Sequence, residues 1–138
     1  MPLSKSQYIR GLQCHKSLWL YKNKPELRET PNQAQESLFN TGFDVGDLAK
    51  QLFPHGVEIE FDSSNFDGML AKTKELINNG CEVIYEATFK ENGIFAMADI
   101  LVKNQDSWDI YEVKASTNVK EYHLNDASVQ WYSLSNAI

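Results

Sequence analysis

At 138 residues the chain suits one domain spanning 1–138, and its 42% hydrophobic and 23% charged residues are those of an ordinary globular protein. No run approaches a membrane span and MPLSKSQYIRGLQ lacks a secretory apolar segment, so a cytoplasmic protein with no membrane partner is expected. The net charge of −6 argues against a protein that coats nucleic acid non-specifically.

The charge is uneven. Residues 1–30 carry six lysines and arginines against two glutamates, a balance of +4, and the other 108 residues carry −10. A basic N-terminal arm on an acidic, metal-binding body has this pattern, and so does a solvated basic helix. Cys14 and Cys81 are too few for a disulfide framework, or for a zinc or iron–sulfur site on their own.

Ser4 or Ser6 can cap a first helix running to about Leu20, and Pro25 and Pro31 mark residues 22–32 as a loop. A second helix is predicted from Gln33 to Phe53, stopped by Pro54, with Leu38, Val45, Ala49 and Leu52 on one face. Gly42 and Gly46 share that face and suggest close packing there. Residues 55–61 read as a short strand. Ser63 or Ser64 then caps a helix over 65–79, with Phe66, Met69, Leu70, Thr73 and Ile77 inward and Asn79-Gly80 as its stop signal. Three strands follow, over 82–90, 94–103 and 107–115, joined by turns at Glu91-Asn92-Gly93 and Asn104-Gln105-Asp106. A last helix, about 124–137, opens at Asn125 or Asp126. No strand is predicted after it.

Asp99 sits on the second strand of this meander, and Glu112-Val113-Lys114 lies on the third. Period-2 alternation puts Glu112 and Lys114 on one face, and hairpin pairing brings Asp99 beside them. Magnesium or manganese takes hard oxygen ligands, which Asp99, Glu112 and the Val113 backbone carbonyl would supply. Lys114 would position or activate water, or offset charge on a phosphate. The bland alternative is a cross-strand acid–lysine pair on a solvent face.

The order of these residues resembles the PD-(D/E)XK nuclease superfamily, in its RecB-like branch that includes CRISPR-associated exonucleases. That pattern is an acid on one strand, (D/E)-x-K on the next, then a helix carrying Gln and Tyr. Here it reads Asp99, Glu112-Val113-Lys114, then Gln130 with Tyr132. LSKSQYIRGLQCHKSLWLYKNKPEL and GFDVGDLAKQLFP are similar to that branch's N-terminal segment and helical motif, and VIYEATF, with Glu86, to the strand before the metal acid. The resemblance implies an α/β, restriction-endonuclease-like core: a three-stranded antiparallel meander with flanking helices. It implies a Mg²⁺- or Mn²⁺-dependent deoxyribonuclease acting on DNA ends or single strands. Asp99 and Glu112 would be metal ligands, Lys114 catalytic, and Glu86, Gln130 and Tyr132 auxiliary. Cys14 matches the first cysteine of the iron–sulfur members, whose cluster would need further cysteines outside this chain. Trp19, Trp131 and the tyrosines could stack on bases of a single strand, although such residues are more often core, and Trp19 is assigned to the core.

The family's core usually ends in a further strand, which the predicted elements here lack. An exposed sheet edge, and a homodimer paired through it, are therefore expected. The chain also carries Gly46 where a ligand histidine is usual and Leu134 where tyrosine is usual. These departures support an alternative: a catalytically weak or inactive nuclease-fold module that binds nucleic acid or assembles with a partner.

Overall fold

The computed structural model describes residues 3–138, a mixed α/β fold. In chain order it runs β1 (Leu3–Ser4), α1 (Lys5–Gln13), α2 (His15–Asn23), a 3₁₀ turn (Pro25–Leu27) and α3 (Gln33–Lys50). Then come β2 (Val57–Glu58), α4 (Phe66–Asn78), β3 (Val83–Glu91), β4 (Ile94–Asn104), β5 (Ser107–Tyr111) and α5 (Glu121–Ser135).

The meander forms as the turn signals predict. β3 and β4 pair antiparallel through the turn at Asn92 and Gly93, both at positive φ, and β5 pairs antiparallel with β4. Two short strands widen it into a mixed sheet. β1 lies parallel to β4 at Ile94 and Phe95, and β2 lies parallel to β3 at Ile84 and Tyr85. The outer edge of β4 is thus shared by β1 and β5, so less sheet edge is open than the sequence suggests.

The core gathers Ile84, Ala87 and Phe89 of β3 with Ala98 and Leu101 of β4. Met69 and Leu76 of α4, Ile59 and Leu134 of α5 complete it. Thr73 is the polar tie between α4 and the sheet. Its hydroxyl donates to the Met69 carbonyl at 3.1 Å and accepts the Thr88 N–H at 2.9 Å, satisfying a buried backbone donor. Phe66, expected inward, is 41% exposed, and Asn65 rather than Ser63 or Ser64 caps α4.

Four other expectations change. The first helix is two helices: the backbone is extended at Cys14, with φ −162° and ψ 113°. A reciprocal Ser4–Gln7 cap starts α1, and α2 folds back on it at Gly11, where a Cβ would stand 3.0 Å from Leu18 Cδ2. Trp19 is consequently 55% exposed, not core. The third meander strand stops at Tyr111 instead of continuing to 115, because the Val113 N–H is given to the Asp99 side chain. The last helix starts at Glu121, so Asp126 lies inside it rather than capping it.

The fourth change concerns α3. Leu38, Phe43 and Leu52 are 70%, 73% and 77% exposed, and a Cβ at Gly42 or Gly46 would meet nothing within 4 Å. The expected close packing is absent because the helix is anchored at its C-terminal end. There the Tyr85 hydroxyl donates to the Phe53 carbonyl at 2.6 Å and accepts the Gly56 N–H at 3.3 Å. A Cβ on Gly56 would stand 2.3 Å from the Tyr85 ring, so this close approach requires glycine. Tyr85→Phe is expected to cost about 1–2 kcal/mol in urea unfolding and to speed proteolysis within residues 33–53. Unchanged stability and cleavage would remove Tyr85 as the anchor.

Candidate active site

The site grows from the end of β5. Ile100 pairs with Tyr111, so Asp99 and Glu112 are the next facing positions on β4 and the chain leaving β5. Here the ladder gives way to a side-chain bond: the Val113 N–H donates to Asp99 Oδ2 at 2.7 Å. Asp99 is thereby tied to the middle residue of Glu112-Val113-Lys114, through the Val113 amide rather than the carbonyl expected as a ligand.

Glu112 is nearly buried, with 9% of its side chain exposed. Its carboxylate accepts from Lys114 Nζ and Gln130 Nε2, and from Lys5 Nζ at 3.2 and 3.3 Å. Lys114 also donates to Asp126 Oδ2 at 2.5 Å, and Lys5 stands 3.2 Å from Asp126 Oδ1. Two ammonium groups and two carboxylates form a closed, charge-balanced network that β1–α1, the β5–α5 segment and α5 assemble together. Burial disfavours the Lys114 ammonium, but its bonds to Asp126 and Glu112 hold its pKa above the ordinary lysine value. Burial likewise disfavours the Asp126 carboxylate, yet its hydrogen bonding and the two ammonium groups keep it below the usual range. Glu112 shifts upward, first from burial and then from its neighbour Asp126.

Glu86 faces a different environment. Tyr85↔Ile100 and Ala87↔Ala98 pair around it, which sets Glu86 opposite Asp99. Its φ of 58° is left-handed, a conformation a glutamate adopts only when its surroundings impose it. Burial and then the Asp99 charge push its carboxyl up to about 7, against a weaker pull from Lys50. Glu86, Asp99 and Val113 line a cavity of about 690 Å³ whose far wall is α3, with Phe39, Phe43 and Lys50. Glu112 and Lys114 open instead on a smaller cavity of about 350 Å³ beside His123.

The sequence-predicted residues therefore divide. Glu112, Lys114 and Gln130 meet in one network, while Asp99 and Glu86 share the larger cavity, joined to that network through Val113. Tyr132 stands apart, its hydroxyl accepting from Asn92 Nδ2 at 2.8 Å at the β3–β4 turn. Trp131 is 65% exposed on α5. Cys14 is exposed between α1 and α2, and Cys81 is a half-buried thiol donating to the Val83 carbonyl at 3.2 Å.

Two members of the network, Lys5 and Asp126, are not among the residues the sequence singles out. Asp126 carried a signal: it lies four residues before Gln130, on the same helical face. Lys5 carried none, because it reaches Glu112 across 107 positions.

Among the described residues, no three His, Cys, Asp or Glu side chains stand together as a metal cage. The Glu86–Asp99 pair still has the donor chemistry for a hard divalent cation. Two carboxyls face each other beside a cavity, and their mutual repulsion, expressed in Glu86, is what a bound cation would relieve. Comparisons with protein-family models, curated proteins and solved structures give no match. No helix among the described residues is long and apolar enough to cross a membrane.

The raised Glu86 pKa has a defined sign. The folded protein holds this proton more tightly than the unfolded chain, so stability falls as pH rises from about 4.5 to about 7. In chelator, Glu86→Gln should melt above wild type at pH 8, and the gap should shrink toward pH 4.5. A gap independent of pH would contradict the placement of Glu86 against Asp99.

Proposed function

We propose that this chain is a metal-dependent deoxyribonuclease of the PD-(D/E)XK, RecB-like kind, acting on DNA ends or single strands. The observation that carries this reading is the Val113–Asp99 hydrogen bond, which ties the acid of β4 to the Glu112-Val113-Lys114 segment. Glu86 and Asp99 would hold Mg²⁺ or Mn²⁺, with Glu112 joining once Lys5 gives up its oxygens. Bound there, the cation would polarise a phosphate oxygen and make water a better nucleophile at neutral pH.

The chain's own residues supply the rest. Lys114 keeps its proton, so it acts as a fixed positive charge beside the phosphate rather than as a base. Gln130 orients the Glu112 carboxylate through its amide. Asp126 holds the Lys114 ammonium from the far side, which positions it without contact with substrate.

With Mn²⁺ and labelled single- and double-stranded DNA, Asp99→Ala and Lys114→Ala should each lose about 100-fold or more in cleavage rate. Equal activity in wild type and both variants would refute the assignment.

One observation favours a second reading, a nuclease-fold module that binds nucleic acid or assembles with a partner but does not turn over. Lys5 places an ammonium 3.2 Å from both Glu112 and Asp126, so the chain already neutralises those carboxylates itself. Calorimetric titration with Mn²⁺ separates the two. Binding that is lost in Asp99→Ala supports the enzyme, and no binding to an intact fold supports the module.

A further inference from the structure

We propose that the exposed face of α2, with the guanidinium groups beside it, is a docking track for single-stranded nucleic acid leading to the candidate site. On α2, Lys16, Trp19 and Lys22 recur at three-residue spacing, which puts an indole between two ammonium groups on one helical face. All three are exposed, and Trp19 is 55% exposed. Beside them, the Arg10 and Arg28 guanidinium carbons lie 4.7 and 3.9 Å from the centre of the Tyr21 ring.

Arg10 donates to Ser17 Oγ at 3.0 Å and Arg28 to the Tyr21 carbonyl at 2.6 Å, which fixes both guanidinium groups without neutralising their charge. Of the six basic residues in 1–30, Lys5 pairs with Glu112 and Asp126, and Lys24 with Glu26 at 3.6 Å. Arg10, Lys16, Lys22 and Arg28 form no ion pair among the described residues. The rest of the chain carries a balance of −10, which repels a polyanion from other surfaces and favours this one.

The occupant follows from the chemistry. A solvated indole flanked by ammonium groups presents a stacking plane with backbone-neutralising charge on both sides, which suits unpaired bases on a phosphate chain. A stacked duplex offers the indole no free base face.

Helix α1 links the α2 face to the site. Lys5, the first residue of α1, touches Glu112, and α1 spans about 12 Å to its packing against α2. This inference deepens the nuclease reading by naming how its substrate is held, but the binding it asserts is independent of turnover.

The test is fluorescence anisotropy of a labelled oligo-dT of about 15 nucleotides, with the full chain in chelator so that no cleavage occurs. Wild type should bind with an affinity that falls steeply between about 50 and 200 mM salt. Lys16→Glu combined with Lys22→Glu should weaken binding at least about ten-fold and flatten the salt dependence. Trp19→Ala should weaken it about ten-fold at unchanged salt slope, and Trp19→Phe should retain most of the affinity. Circular dichroism should match wild type, because these side chains are exposed.

Wild-type affinity in both the charge-reversal and the Trp19→Ala variants overturns the proposal. So does Trp19-dependent binding to phosphatidylserine vesicles with none to the oligonucleotide. If these variants lose binding while wild type cleaves nothing with Mn²⁺, the track stands and the nuclease reading falls. If wild type cleaves in an Asp99-dependent way and the variants bind normally, the nuclease reading stands and the track falls.

Discussion

The hydrogen bond from the Val113 amide to Asp99 is the constraint on which the site depends. It replaces what would have been another rung between β4 and β5 and ends β5 at Tyr111. Released from the ladder, Glu112 and Lys114 reach toward α5 and the N-terminus, where Asp126, Gln130 and Lys5 meet them. A regular strand through 115 would have kept both side chains on one face of the sheet, bound into the ladder with β4.

That single exchange leaves two acidic environments on either side of Val113. Glu112 and Asp126 share two ammonium groups, so their charges are balanced within the fold. Glu86 and Asp99 are not balanced in this way, and burial, then the Asp99 charge, raises the Glu86 pKa. Half-buried carboxyls without a paired cation are costly to keep charged, and the raised Glu86 pKa reflects that cost.

The cavity owes its open wall to the way α3 is held. Tyr85 fixes the helix at its C-terminal end, and the apolar side chains Leu38, Phe39 and Phe43 border the space above Glu86 and Asp99 instead of filling it. The basic face of α2 lies on another part of the same chain, joined to the site by the short, capped helix α1. The acidic cluster and the basic face are thus separated along the chain and linked by its N-terminal helix.

The sequence by itself determined the meander, its two turns and the helices that flank it. Those depend on local chemistry: alternating apolar residues, Asn92 and Gly93 at positive φ in the first turn, and the Ser4 cap of α1. It also singled out Asp99, Glu112 and Lys114 by their spacing on neighbouring strands, and Glu86 and Gln130 through the family resemblance. Tertiary structure decided where those residues point. It broke the first helix at Cys14, exposed Trp19, left Gly42 and Gly46 facing open space, and sent Tyr132 to the β3–β4 turn. Above all it brought Lys5 to Glu112 and set Asp126 inside α5. Such contacts depend on which elements pack together, and a lysine 107 positions from its partner carries no local signal of that pairing.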